Sequence, residues 1–129
     1  MPKDCPFCEI INNDSMHRVI DKNNLACVVR DGFPISEGHT LIIPKRHIAS
    51  FFEVTTEERE ALFELLDAAK IVLDKELKPD AYNIGINDGA AAGQTVAHLH
   101  IHLIPRYQGD IDDPRGGIRW IMPDKAKYW

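Results

Sequence analysis

The sequence lacks an apolar run of the roughly 18 residues that a transmembrane helix needs. Its first residues, MPKDCPFCEIINND, also lack the apolar stretch of a secretory signal peptide. Positive charge is scarce, because 15 Lys and Arg stand against 20 Asp and Glu, which leaves a net charge of −5. We therefore expect a cytoplasmic protein that contacts no membrane and binds no nucleic acid polymer through bulk charge, although a single nucleotide could occupy a local pocket.

Cysteine is also rare, with three in 129 residues. A disulfide framework needs an even and larger number of cysteines, so none is expected. A domain of this length buries about two-thirds of its unfolded surface and needs no such framework to fold. Cys5 and Cys8 form a Cys-x-x-Cys pair, which in a chain without an export signal indicates a metal or redox site. Cys27 lies in an apolar segment and is predicted to be buried and unreactive.

Short apolar runs separated by turn residues predict five strands, and one long segment has helical periodicity. Thr55 and Glu58 have the spacing of a capping box, and apolar residues recur at helical spacing from there to Leu77, before Pro79 ends the helix. We therefore expect a single α+β domain over residues 1–129, with a mostly antiparallel five-stranded sheet and 107–129 as a C-terminal tail. The predicted strands are 18–20, 25–30, 39–44, 82–87 and 97–106.

Residues 93–106, GQTVAHLHIHLIPR, contain three of the six histidines, and these occupy every second position. On a strand, His98, His100 and His102 would share one face, and the aliphatic residues between them would share the other. Polar rings in a row are unsuited to a hydrophobic core. We therefore predict that the histidine face binds metal, performs chemistry, or does both.

Strand geometry divides the three histidines between roles. Alternate residues on a strand are about 6.6 Å apart, so His98 and His102 are expected about 13 Å apart. A zinc ion lies only about 2 Å from each ligand nitrogen, so all three rings cannot easily share one ion on a regular strand.

A closed zinc site is the prediction for the first histidine. Cys5 and Cys8 supply two ligands at zinc spacing, and His47 and His98 are the candidates for the other two. Four protein ligands leave no open position for water, so such a site is structural. The alternative is a short helix that carries two reduced cysteines without metal.

The middle histidine, His100, is the predicted nucleophile. A neutral imidazole with one nitrogen held by a hydrogen bond offers its other lone pair, which can attack phosphorus and form a covalent intermediate. His102 is predicted to contact a phosphate oxygen, either as a cation or as a proton relay. The other predicted phosphate contacts are Asn87, Gly93, Gln94 and Thr95.

The run from His98 to Ile104 resembles the histidine-triad signature, His-φ-His-φ-His-φ-φ, in which φ is apolar. The segments CPFCEII, EGHTLIIPKRHI, INDG and GQTVAHLHIH also resemble histidine-triad proteins of prokaryotic type. The resemblance covers about Cys5 to Arg106. It implies a histidine-triad fold whose sheet pairs across a homodimer, through the long helix and a sheet edge, and a structural zinc ion on the two cysteines, His47 and His98.

The resemblance also implies a nucleotide hydrolase or nucleotidyl transferase that acts at the α-phosphate of adenine nucleotide derivatives. His100 would carry the nucleotidyl group, His102 would bind the α-phosphate, and Asp31 would contact the ribose hydroxyls. Thr95 stands where phosphoramidate-cleaving members have serine, so dinucleoside polyphosphates such as diadenosine tetraphosphate are the first expected substrates and phosphoramidates the second. The base is expected to lie against Val19, Ile20 and Phe33.

Two other functions are compatible with the same residues. The first is a regulatory module that binds a nucleotide with little turnover. The second is a zinc hydrolase in which the triad holds a catalytic metal, although the supply of four ligands without His100 counts against it. His39 is expected to be structural or to support the site indirectly, and His17 is expected on the surface.

Overall fold

The computed structural model describes residues 4–14 and 16–129. Its centre is one five-stranded sheet in the order β1-β2-β3-β5-β4, and every neighbouring pair is antiparallel. The predicted α+β fold, with a five-stranded antiparallel sheet and one long helix, is confirmed. The strands are Val19–Lys22 (β1), Ala26–Arg30 (β2), Thr40–Pro44 (β3), Ala81–Gly85 (β4) and Ile101–Arg106 (β5).

The long helix, Thr56–Glu76, covers one face of the sheet. Thr55 caps it, and both hydrogen bonds of the predicted capping box are present. The Thr55 hydroxyl accepts from the backbone N–H of Glu58, and the Glu58 carboxylate accepts from that of Thr55. The helix ends at Glu76 and Leu77 is its C-cap, as expected from the proline two residues after the cap. Because its apolar residues recur at helical spacing, they form one buried stripe against β2, β3 and β5. The buried residues of this stripe are Ala61, Leu62, Leu65, Ala69 and Leu73.

A short helix, Pro6–Asn12, covers part of the opposite face of the sheet. We number it α1 and the long helix α2. Phe7, Cys8 and Ile10 of α1 are buried against apolar side chains of β2 and β3. The sheet therefore has an apolar core on each side. On the side where the histidines lie, α1 covers part of the face and shields it from solvent. The side chains beneath α1 are Cys27, Val29, Leu41 and Ile43.

The strand predicted over residues 97–106 is too long, because β5 begins at Ile101. His98 and His100 therefore precede the strand. The reason is local: the Nδ1 of His100 is 2.9 Å from the carbonyl oxygen of His98, and this side-chain bond occupies an acceptor that a regular ladder would use. The alternation itself persists, since Leu99, Ile101 and Leu103 are all buried in the core beneath α2.

The other strand boundaries differ from prediction by at most two residues. β2 begins at Ala26, because the Oδ1 of Asn23 accepts hydrogen bonds from the backbone N–H groups of Leu25 and Ala26 and forms the turn. β4 spans Ala81–Gly85 instead of 82–87, and β1 extends to Lys22. The predicted domain range of 1–129 includes residues 1–3 and 15, which lie outside the described residues.

The tail after residue 106 folds back on itself. It forms two short 3₁₀ helices, Gly117–Ile121 and Pro123–Lys125, and Ala126 is fully buried. The guanidinium of Arg115 lies 4.5 Å from the ring centre of Trp129, which is within the range of a cation–π contact. Across the described part of the chain, no helix is long and apolar enough to cross a membrane.

Glu58 of the capping box also forms an ion pair with the half-exposed Arg46, which gives a prediction for stability. Arg46 donates two hydrogen bonds to its carboxylate, at 2.7 and 3.0 Å, and lowers the pKa of Glu58 from 4.5 to about 2. A carboxyl with a lowered folded-state pKa contributes stability above its unfolded pKa, and this contribution is lost as the pH falls towards the folded value. We expect Glu58→Gln to lower the free energy of unfolding by about 1–3 kcal/mol at pH 7 and by less at pH 3.5.

Urea unfolding at the two pH values measures this difference. Glu57→Gln is the matched control, because Glu57 is exposed in the same helical turn and its loss is expected to change the free energy of unfolding by less than about 0.5 kcal/mol. An equal effect of Glu58→Gln at pH 7 and pH 3.5 would contradict the assignment.

Candidate functional site

Cys5, Cys8, His47 and His98 meet at the edge of the core beneath α1. One ligand atom from each lies within 4.8 Å of all the others. The chain brings them together because α1 carries the cysteines, His47 follows β3, and His98 precedes β5. The structure therefore places the four predicted metal ligands in one cluster.

The distances within the cluster are close to those between the ligands of a tetrahedral zinc ion. Ligand atoms about 2.0–2.3 Å from such an ion are roughly 3.3–3.8 Å from one another. The Nδ1 of His98 lies 3.6 Å from the Sγ of Cys5, 3.5 Å from that of Cys8 and 3.2 Å from the Nδ1 of His47. The Sγ of Cys8 lies 3.1 Å from the Nδ1 of His47, so the two distances that involve His47 are slightly shorter than this range.

The protonation of the cluster also suits a cation. The Nε2 of His98 lies 2.8 Å from the carbonyl oxygen of Pro44, which can only accept, so Nε2 carries the proton and Nδ1 offers its lone pair to the cluster. Burial, together with Cys5, raises the pKa of the Cys8 thiol to about 11. A buried thiol of this kind becomes a thiolate only beside a positive charge, and a metal ion supplies that charge.

His100 has the form of the predicted nucleophile. Its Nδ1 donates to the carbonyl oxygen of His98 at 2.9 Å, so Nε2 keeps the free lone pair. The ring of Phe7 packs against it with the ring centres 5.1 Å apart, and only 9 % of His100 is exposed. The nucleophile candidate is thus held firmly in one orientation and one tautomer.

His102 is uncharged at neutral pH. Its ring centre lies 5.1 Å from that of His100, and burial, followed by the electrostatic effect of the neighbouring imidazoles, lowers its pKa to about 4. Of the two roles predicted from the sequence, the structure therefore favours hydrogen bonding or proton transfer over a fixed positive charge. Together with Asp31 and His39, His102 forms a second cluster of possible metal ligands.

His102 borders a cleft of about 1140 Å³ between the sheet and the C-terminal tail. Three other predicted nucleotide contacts also line it: Asp31, Phe33 and Asn87. The Oδ1 of Asp31 accepts from the backbone N–H of Phe33 at 2.8 Å, which fixes this carboxylate at the rim. Phe33 itself is 91 % exposed, so its ring is available to a ligand.

The other predicted nucleotide contacts do not line this cleft. Val19 packs against the core beneath α1, and Ile20 is half-exposed on the edge strand β1. Gly93, Gln94 and Thr95 follow the 3₁₀ helix Ala90–Ala92, where Gly93 adopts the left-handed conformation with φ 96°. These assignments stay predictions.

Sequence reasoning missed the apolar wall of the cleft. Side chains from the tail face Ile104 of β5 across it, and no periodicity in the tail indicates this contact. The weak signal that was present is the density of large apolar residues in a segment otherwise rich in Gly, Pro and Asp. The wall residues of the tail are Ile111, Pro114, Ile118, Trp120 and Ile121.

Gln94 holds the loop before β5 together. Its Nε2 donates to the carbonyl oxygens of Ala49 and Val96 at 2.9 and 3.1 Å, and its Oε1 accepts from the N–H of Gly89 at 2.8 Å. Both amide hydrogens are therefore used within the protein. The hydroxyl of the exposed Thr95 has no such internal role among the hydrogen bonds described for this loop.

The HIT domain model matches residues 12–109, which is most of the chain. The chain belongs to the HIT family. An uncharacterized HIT-like protein of Mycoplasma genitalium is 38 % identical over 81 % of this chain and 74 % of its own length. An adenylylsulfatase of Arabidopsis thaliana is 34 % identical over 85 % and 56 %, and a bis(5′-nucleosyl)-tetraphosphatase (asymmetrical) of Schizosaccharomyces pombe is 41 % identical over 62 % and 44 %.

Solved HIT structures have the same fold. A HIT family protein of Bacillus anthracis superimposes with a TM-score of 0.78 at 33 % identity, covering 85 % of this chain and 78 % of that one. A zinc-bound histidine-triad family protein of Mycobacterium smegmatis gives a TM-score of 0.75 at 34 % identity, with coverage of 83 % and 78 %.

The bonding of Gln94 gives a prediction for this HIT chain. Gln94→Glu replaces two donors by acceptors that face carbonyl oxygens, so we expect the free energy of unfolding to fall by about 1–3 kcal/mol at pH 7. Gln108→Glu makes the same change at an exposed residue and is expected to have an effect below about 0.5 kcal/mol. Urea unfolding compares the two, and equal stability of both variants would show that the Gln94 bonds contribute nothing.

Proposed function

We propose that this HIT protein is a nucleotide hydrolase or nucleotidyl transferase that acts at the α-phosphate of adenine nucleotide derivatives. The observation that carries the proposal is the pair of rings at the start of β5. His100 has a fixed tautomer with a free lone pair on Nε2, and the uncharged His102 lies beside it at the wall of a large cleft. Two relatives named as an adenylylsulfatase and a bis(5′-nucleosyl)-tetraphosphatase support the reaction class.

The proposed reaction has two displacements. The lone pair of His100 Nε2 attacks the α-phosphorus, an N–P bond forms, and the bond to the leaving group breaks with its electron pair. Water, or another acceptor, then attacks the same phosphorus, and the N–P electron pair returns to Nε2. A His102 N–H that donates to a phosphate oxygen stabilises the charge that develops in both steps.

The proposed substrate is a dinucleoside polyphosphate, with nucleoside phosphoramidates as the second class. The cleft exceeds the usual 300–1000 Å³ of small-ligand sites, which suits a ligand with two bulky ends. Asp31 would contact the ribose hydroxyls, and the base would lie against Phe33, Val19 and Ile20. The proposed phosphate contacts are Asn87, Gly93, Gln94 and Thr95.

We also propose that the Cys5, Cys8, His47 and His98 cluster holds structural zinc. The four ligands close the site, and His100 is not among them, so the ion would join α1 to the sheet and take no part in the displacement. This arrangement also counts against a zinc hydrolase. A cytoplasmic homodimer remains part of the proposal, and the exposed apolar residues Ile71 and Val72 on α2 and Ile84 on β4 could supply its interface.

Removal of the nucleophile tests the reaction. We expect His100→Ala to lower turnover of diadenosine tetraphosphate by about 10³-fold or more, because the covalent route is lost. The wild-type protein, quenched in acid-free denaturant, should show a nucleotidyl group on His100 by mass spectrometry. His17→Ala, at an exposed histidine, should leave the rate unchanged.

Full activity of His100→Ala would contradict the proposed mechanism. Tight binding of adenosine monophosphate by the wild type, without turnover of either substrate class, would instead support the regulatory binding module. Circular dichroism and zinc content verify that the variant is folded.

Metal analysis tests the zinc site. We expect one zinc per chain in wild-type protein purified without chelator, loss of zinc in Cys8→Ala, and a melting temperature lower by more than about 10 °C. Cys27→Ala removes a buried cysteine outside the cluster and should keep the zinc. A zinc-free wild type, or equal zinc in both variants, would exclude the site.

A further inference from the structure

His39 lies behind the site in a position that its role as a buried core residue does not explain. It is 3 % exposed, and its Nε2 is 2.9 Å from the Nδ1 of His102. The two residues are 63 positions apart in the chain, and adjacent strands bring them together. A hydrogen bond between two imidazoles needs a proton on one nitrogen and a lone pair on the other.

The backbone decides which nitrogen of His39 carries the proton. The N–H of Ile35 donates to the Nδ1 of His39 at 3.2 Å, so this nitrogen must offer a lone pair. Burial lowers the pKa of His39, which keeps the ring neutral. A neutral imidazole has one N–H, and it therefore lies on Nε2.

The proton on His39 then fixes the tautomer of His102. Because the Nε2–H of His39 donates to the Nδ1 of His102, that Nδ1 offers a lone pair, and the proton of the neutral His102 lies on Nε2. The Oδ2 of Asp31 is 3.4 Å from the same His39 nitrogen, so the carboxylate favours a proton there. The direction of each bond follows from the donor at Ile35.

The same donor excludes a metal ion among Asp31, His39 and His102, although their ligand atoms lie within 4.8 Å of one another. A histidine that binds metal through Nε2 normally donates from Nδ1. Here Nδ1 accepts from a backbone N–H, so Nε2 has no lone pair for a cation.

We propose that His39 is a positioning residue, which acts through His102 by holding it as the Nε2–H tautomer and thereby presenting an N–H donor to the phosphate. The inference rests on the proposed function for the identity of the ligand. The tautomer assignment itself depends only on the three hydrogen-bonding partners, Ile35, His39 and His102.

Nitrogen-15 NMR of histidine-labelled wild-type protein, without nucleotide at pH 7.5, tests the tautomer directly. We expect both His39 and His102 to show a protonated Nε2 and an unprotonated Nδ1. A proton on the Nδ1 of His102, or a second zinc per chain bound at this nitrogen, would overturn the proposal.

Two amide substitutions at His39 test its effect on the reaction. In His39→Gln the amide nitrogen occupies the place of Nε2 and can donate to His102, whereas in His39→Asn the shorter side chain places it near Nδ1. We expect kcat within about fivefold of wild type for His39→Gln and about 10- to 100-fold lower for His39→Asn, with KM little changed. His17→Gln, at an exposed histidine, is the matched control.

Equal losses in the two amide variants, with both folded, would contradict a positioning role through the donor. If the wild type turns over no substrate, the proposed function fails, but the NMR result still decides the tautomer. If the wild type is active and the NMR shows the other tautomer, the positioning role alone fails.

Discussion

The site depends on a simple constraint: a carbonyl oxygen can only accept a hydrogen bond, and a backbone N–H can only donate one. The carbonyl of Pro44 places a proton on Nε2 of His98, and the carbonyl of His98 places one on Nδ1 of His100. Two histidines only two residues apart therefore offer lone pairs from different nitrogens. His98 turns its Nδ1 to the cysteines, while the Nε2 of His100 stays available for the proposed attack.

This constraint holds because both faces of the sheet are covered. Beneath α2, Leu99, Ile101 and Leu103 fix the chain, and α1 packs Phe7 against His98 and His100 on the other side. Rings in such a position cannot rotate freely. The cluster of Cys5, Cys8, His47 and His98 joins the helix that covers the face to the segments beneath it, so the proposed zinc ion and the proposed nucleophile share one set of supports.

The sequence predicted that His98 would group with Cys5, Cys8 and His47, apart from His102, because alternation and ligand spacing depend on local geometry. It also predicted α2, whose cap and apolar stripe are local, and the fold class. It did not predict that β5 begins at Ile101, since the bond between the ring of His100 and the backbone of His98 competes with the strand ladder. The pairing of His39 with His102, and the apolar wall formed by the tail, join residues far apart in the chain, and no periodicity encodes them.

Burial lowers the pKa of His102, which its position in the sequence does not predict. With a pKa of about 4, the ring is neutral at physiological pH, so in the proposed reaction it would stabilise charge as a hydrogen-bond donor. Yet an anion beside an imidazole raises its pKa, and a phosphate group entering a site of low dielectric does so strongly. The same burial that keeps the free ring neutral thus makes its affinity for a proton sensitive to the ligand. In the proposed reaction, a donor of this kind favours the state in which negative charge is greatest, and that state is the transition state.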